Sequence, residues 1–399
     1  MSLFSKWIRI SFLNLLIVAL CGVILRYKIV FSLPIIEQKH LLHGHSHFAF
    51  TGWITQTIFC FLIFFLQKKT NIDVYAKYRW LLIANLISAY GMLISFIIQG
   101  YALYSIAFST LAIVVLAIFA VYYWRDLNRY EGNTLAAFCC KAALIFAQIS
   151  SLATFMLAWL MVNKFEGQYW YVAAIYFFLH FQYNGWFFFG GLTILFMMIP
   201  KENYNSPLAK KLCVTLVACC VPAYLLSVIN FAIPAYAYAI ATITGIVQWI
   251  ALVWLVMIMR PALNVVKSGN KWLYMLVAAA LIIKFSLQML STIPALSILA
   301  FGSRPIIVGY LHLVLLCIIS LFLLAASRNY LNYNSLFKVA TVVFVIGIIA
   351  NEAVLMGQGL MGFYGIPMRH VIETLFVITV VIFVGILLLN ISMKKITSD

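Results

Sequence analysis

A chain of 399 residues with 66% hydrophobic and 9% charged residues cannot be a soluble domain, where roughly a quarter of residues carry charge. Its net charge of +17 does not signal nucleic acid, because the basic residues fall in short loops between apolar runs of about 20 residues, the length that crosses a bilayer. The composition predicts an all-α polytopic membrane protein, in contact with lipid and with almost nothing outside it.

The apolar runs predict twelve transmembrane helices, near 8–30, 41–66, 79–99, 103–124, 137–163, 170–199, 208–230, 235–260, 272–293, 305–327, 338–358 and 368–392. Lys6 and Arg9 precede the first run, and no small-residue cleavage site comes before Arg26 and Lys28, so this run reads as a retained helix. One set of loops holds Lys6, Arg9, Lys68, Lys69, Lys77, Arg79, Arg125, Arg129, Lys141, Lys201, Lys210, Lys211, Arg260, Lys267, Lys271, Arg328, Lys338, Lys394 and Lys395. The opposite set holds only Arg26, Lys28, Lys39, Lys164, Arg304 and Arg369. The excess of positive charge marks the cytoplasmic side and places both termini there. The eight cysteines lie mostly inside apolar runs, and none forms Cys-x-x-Cys, so they read as small packing residues.

One seven-residue frame occurs twice. His47-Phe48-Ala49-Phe50-Thr51-Gly52-Trp53 and His180-Phe181-Gln182-Tyr183-Asn184-Gly185-Trp186 both read His-Phe-x-x-x-Gly-Trp, 133 residues apart (180 − 47). His312 follows after 132 more (312 − 180), without the Gly-Trp. With 399 residues, these intervals predict a pseudo-threefold repeat of four helices each, roughly 1–132, 133–265 and 266–399, within a single membrane domain of 1–399. Each of the three histidines then falls on the second helix of its repeat. All seven histidines lie within roughly the outer half of the bilayer.

Ionisable residues inside a membrane are costly and mark function by default. At 100° per residue His40, His43 and His47 share one helix face, and His45 points nearly opposite, so one helix can serve two sites. Tyr183 and Asn184 lie on the His180 face, where they could orient a ligand or relay a proton. The glycine five residues after His47 and His180, Gly52 and Gly185, admits a planar group or a neighbouring helix. Lys284 and Glu352 sit at similar depth and are predicted to pair or to share a hydrated cavity, as a proton path or as a structural ion pair. Glu373 shares the face of His370, three residues away, as an outer partner or a metal ligand.

Twelve helices in three arcs of four, with histidines at the outer ends of the second, sixth and tenth, resemble subunit I of the haem-copper oxidase and nitric oxide reductase superfamily. The run from His45-Ser46-His47 to Gly52 resembles the His-x-His followed five residues later by Gly of nitric oxide reductases, and the similar motif of NnrS-type haem- and copper-containing membrane proteins. The resemblance implies a low-spin b- or a-type haem, with b-type favoured, and axial histidines His47 (or His45) and His312. It implies copper or non-haem iron at His180, with Tyr183 nearby; His43, His370 and Glu373 stand as substitutes for ligands the pattern lacks. The chain departs from the pattern in three places. No histidine lies in 208–230, His312 stands alone, and Asn184 occupies the position where the family has a cross-linked Tyr or a Glu.

The sequence therefore points to a redox protein of the bacterial plasma membrane, for electron transfer or for chemistry on a diatomic gas such as nitric oxide or oxygen near the outer leaflet. With no Cys-x-x-Cys-His and no iron–sulfur motif, its electron donor is another protein, and a partner subunit is compatible. Two other readings stand beside this one: a metal-handling or transport protein, and a cofactor-free partner or assembly subunit of the same fold.

Overall fold

The structure is a computed structural model and describes residues 3–261 and 271–393. The predicted inner-side residues Lys267, Lys394 and Lys395 lie outside the described residues. Among the described residues the chain is helical, and the β structure is an isolated bridge between Tyr333 and Met393.

In chain order the helices are α1 Leu3–Val30, α2 Gln38–Gln67, α3 Val74–Gln99, α4 Leu103–Tyr130, α5 Leu135–Val162 and α6 over 168–198. Then come α7 Pro207–Cys220, the single turn α8 Tyr224–Ser227, α9 Ala235–Met259, α10 Lys271–Leu290 and the short α11 Pro294–Gly302. The last three are α12 Arg304–Arg328, α13 Leu336–Phe363 and α14 Val371–Ser392. The starts obey capping chemistry. Asp73 and Thr134 accept from the amides of Ala76 and Ala137, both at 3.1 Å, and Ser206 accepts from that of Ala209 at 3.0 Å with Pro207 following as the first helical residue.

Among the described residues, ten helices are long and apolar enough to cross a membrane. The two other predicted spans differ for separate physical reasons. α6 is a continuous helical run, but His180, Gln182 and Asn184 dilute its apolar character. The helix predicted over 208–230 stops at Cys220. Pro222 has no amide hydrogen to continue the ladder, and the chain turns into α8 instead.

Two compact units emerge. The first comprises residues 1–130 and 326–399. In it α1 packs on α2 and α14, α2 on α3, α3 on α4, and α13 on α14. Gly347 and Gly385 permit the last contact: a Cβ at Gly385 would lie 2.7 Å from the backbone nitrogen of Phe344, and one at Gly347 would lie 2.7 Å from Ile382 Cγ1. The second unit comprises residues 131–325. Here α5 packs on α6, α7 and α10 on α9, and α10 on α12. Large apolar side chains such as Ile98, Leu152, Ile243 and Val377 remain exposed, as residues facing acyl chains do.

Three helices share one departure from α geometry. The backbone widens to π over Ala49–Thr55 in α2, Phe181–Phe187 in α6 and Leu313–Ser320 in α12. These segments start 132 residues apart (181 − 49 and 313 − 181). Each begins one or two residues after His47, His180 or His312. π segments are rare and concentrate at functional sites.

Candidate functional site

In the first unit the π segment of α2 is held from both sides by buried amides. Asn14 of α1 donates to the Gly52 carbonyl at 2.6 Å and accepts from the Tyr90 hydroxyl at 2.7 Å. Asn85 of α3 donates to the Thr51 carbonyl at 3.1 Å and to Gln56 Oε1 at 2.8 Å. A π turn loosens the regular ladder, and with no water in the hydrocarbon the neighbouring helices must supply partners. Sequence reasoning passed over Asn14, Asn85 and Tyr90. The signal was present, since two asparagines inside apolar runs need a reason to be there.

The histidines of α2 divide between two faces, as the helical geometry requires. His47 stacks on Phe96 with ring centres 4.6 Å apart and planes 18° from parallel, and its Nε2 lies 3.1 Å from the Tyr101 hydroxyl. His43 meets the same Tyr101 edge to face at 4.7 Å. His40 packs on Gly100, which has φ +65, and a Cβ there would come within 2.4 Å of His40 Nε2. Gly100 therefore serves both the turn and the contact. His45 faces α1 instead: its Nδ1 lies 3.0 Å from the Val18 carbonyl, and its ring rests over Gly22. A carbonyl only accepts, so Nδ1 carries the hydrogen and Nε2 keeps its lone pair.

The other sequence-predicted residues of this unit stand apart from that face. His370 is exposed at the N-cap of α14 in the left-handed conformation, φ 53, and Glu373 is exposed in the first turn. Glu352 of α13 accepts from Asn351 at 3.1 Å, while its Oε2 is buried without a partner.

In the second unit His180 is buried and closed in. Its Nε2 lies 2.8 Å from the Cys220 carbonyl, at the end of α7. That carbonyl is left without its helical amide because the chain turns at Pro222, and the Tyr224 amide bonds Val221 instead. Nε2 must therefore donate, which leaves Nδ1 as an acceptor. Nδ1 receives the Asn184 amide at 3.0 Å and the Ser227 hydroxyl at 3.3 Å. Asn184 Oδ1 in turn accepts from Lys284 Nζ of α10. The Cys220 thiol donates to the Asn184 carbonyl at 3.7 Å, and Gln182 donates to Ser150 Oγ at 2.9 Å. Tyr183, placed by sequence beside His180, packs against Tyr310 of α12 with ring centres 6.0 Å apart. His312 is half-buried, where α12 passes from α to π.

The structure thus joins His43 with His47, and His180 with Asn184 and Lys284. Lys284 takes a neutral amide as partner, not the carboxylate that charge matching suggested. Among the described residues no three His, Cys, Asp or Glu side chains come together as a metal-binding group. A cleft in the second unit, lined by residues such as Phe187, Phe188, Leu255 and Phe322, is apolar apart from Tyr274 and carries no chemistry of this kind.

Chemically, the first unit offers an imidazole oriented by a carbonyl with one nitrogen open. The second offers an imidazole with both nitrogens engaged, linked through an amide to a buried ammonium. No protein-family model matches the chain, and no curated protein matches it.

Proposed function

We propose that this chain is a haem-binding redox protein of the bacterial plasma membrane, built like subunit I of the haem-copper oxidase and nitric oxide reductase superfamily. In this reading the chain crosses the bilayer twelve times in three sets of four, α6 and the broken α7–α8 segment adding to the ten long apolar helices, with both termini cytoplasmic. The threefold reading is supported by the π segments, which recur at the same interval as the histidines.

The observation that carries the haem reading is His45. A ligating histidine is held by a hydrogen bond from its other ring nitrogen, which fixes tautomer and orientation. His45 has the first half of that arrangement, with Nδ1 on the Val18 carbonyl and Nε2 carrying the lone pair. His45, or His47 on the opposite face of α2, would hold the group from this helix. With no Cys-x-x-Cys-His to attach it, the group would be held without a covalent thioether link, as b- and a-type haems are. Such a group would supply one-electron exchange and diatomic-gas chemistry. The residues of the chain orient the imidazole, and the π segment, held by Asn14 and Asn85, keeps it in register.

We leave His180 out of the ligand set. Copper or non-haem iron at its Nδ1 requires Asn184 and Ser227 to release it, and at Nε2 requires the Cys220 carbonyl to do so.

The test is the reduced-minus-oxidised visible spectrum of the detergent-purified protein, with haem measured per chain. A sharp α band that disappears in His45→Ala is the expected result. Loss in His47→Ala alone moves the ligand to the opposite face of α2. A colourless protein from haem-replete cells overturns the redox reading in favour of metal handling, transport or a cofactor-free subunit.

A further inference from the structure

The chain from the Cys220 carbonyl through His180 and Asn184 to Lys284 is directional, and each donor is assigned by its neighbour. Cys220 can only accept, so His180 Nε2 donates. His180 Nδ1 can then only accept, so Asn184 presents its NH₂ to it and its oxygen to Lys284. The ammonium can only donate, and it finds that oxygen. The arrangement shown is therefore neutral His180 with Lys284 as a donor, the arrangement that a charged Lys284 requires.

A second arrangement uses the same atoms. If His180 carries a proton at Nδ1, that nitrogen becomes a donor, and the Asn184 NH₂ facing it is repelled. Asn184 then turns over about its Cβ–Cγ bond, and its oxygen accepts from Nδ1–H. Its NH₂ now faces Lys284, which can accept only as an uncharged amine. The proton count is unchanged: Lys284 Nζ loses one proton and His180 Nδ1 gains one. With both bases charged, the single amide oxygen serves one of them, the longer contact to Ser227 Oγ at 3.3 Å is the acceptor left for His180, and two cations repel in a poorly polarisable interior.

We propose that His180, Asn184 and Lys284 form a buried proton site that holds one proton, on either base but never on both, with the orientation of the Asn184 amide selecting the seat. The two seats lie on helices α6 and α10, so the amide turn passes a charge between elements with little backbone motion. The surroundings supply no competing charge. The acidic residues of 131–325 are Glu131, Glu166 and Glu202, none of them in the long helices of this unit. The groups that face the site are the Cys220 thiol from α7, Ser227 and Tyr224 from α8, the latter with its ring 6.0 Å from that of His180, and Tyr183 with Tyr310 from α6 and α12. These are neutral near pH 7. The site owes nothing to haem and stands or falls independently of the redox reading.

The test is ¹⁵N NMR of the full-length protein in detergent with ring-labelled histidine, assigning His180 by its absence in His180→Gln. In the wild type His180 shows the neutral tautomer with hydrogen on Nε2 and stays neutral on acidification. In Lys284→Met it becomes the sole base and takes its second ring proton at a tenfold or greater lower proton concentration, an upward shift of about one pH unit or more. In Lys284→Arg the charge cannot leave, and His180 stays neutral as in the wild type. Hydrogen on Nδ1 in the wild type overturns the proposal. So does equal titration of His180 in the wild type and Lys284→Met. If Lys284→Met does not fold, the wild-type tautomer and the Lys284→Arg titration decide, because protonation of His180 in Lys284→Arg at ordinary acidity also refutes it.

Discussion

Helices α2 and α6 carry the same frame, His-Phe-x-x-x-Gly-Trp, and both widen to π directly after it, yet their chemistry diverges. Trp53 and Trp186 are fully buried in both. The glycines differ in what they accommodate. A Cβ at Gly52 would strike the ring of Phe48 in its own helix at 2.8 Å, whereas one at Gly185 would strike Phe146 Cβ of α5 at 2.4 Å. The histidines differ more. Those of α2 rest on aromatic rings and a hydroxyl, or on one carbonyl, and His45 retains an open nitrogen. His180 spends both nitrogens inside a closed polar chain. The frame therefore specifies backbone shape, and the side chains brought in from distant helices decide what the histidine can do.

The sharpest way to break this contrast is to remove the two histidines in turn. His45→Ala is expected to abolish the haem α band of the purified protein entirely, and His180→Ala to retain it, read as absorbance per chain. The reverse outcome would make the closed helix the ligating one.

The asparagines beside the two π segments carry the next largest effect. Asn184→Leu takes from Lys284 its hydrogen-bond acceptor, leaving Nζ only the Phe285 ring 3.7 Å away, and leaves His180 Nδ1 with Ser227 alone. Exposing an uncompensated buried charge costs about 3–5 kcal/mol. Asn85→Leu strands only neutral acceptors, Thr51 and Gln56, and costs about 1–3 kcal/mol. Unfolding in mixed micelles should rank them in that order. The glycines follow: Gly185→Ala meets Phe146 at its rigid Cβ and costs about 1–3 kcal/mol by overpacking. Gly52→Ala meets a ring that can turn, and should cost less in the same assay.

Much of this was legible beforehand. Hydropathy located the helices, the spacing of His47, His180 and His312 located the three special ones, and 100° per residue separated His45 from His47. The π segments were not legible, because a shift from i+4 to i+5 bonding leaves no residue signature. The partner of Lys284 was missed for a different reason. Charge matching looks for a carboxylate, and the structure supplies an amide exactly 100 positions away in sequence. The break in the helix over 208–230 was available from Pro222 but hidden by the apolar run around it.

A smaller effect concerns the entry to α2, on which His40, His43, His45 and His47 all ride. The Glu37 carboxylate caps this helix outside the bilayer, accepting from the amides of Lys39 at 2.5 Å and His40 at 3.1 Å. The bond from His40, then that from Lys39 and the nearby positive charges, hold its carboxyl below the usual range. A carboxylate with a lowered folded value stabilises above the unfolded value, about 4.3 for Glu, and loses that contribution as pH falls through the folded one. Hydrogen exchange at the Lys39 and His40 amides should therefore be slow at neutral pH, quicken on acidification below that range, and be fast and pH-flat in Glu37→Gln apart from intrinsic chemistry. No counterpart exists on α6, whose N-cap is Gly167 with no side-chain bond. If the first turns of both helices exchange alike at neutral pH, the cap contributes nothing, and the order of the α2 histidines comes from the π segment and its asparagines alone.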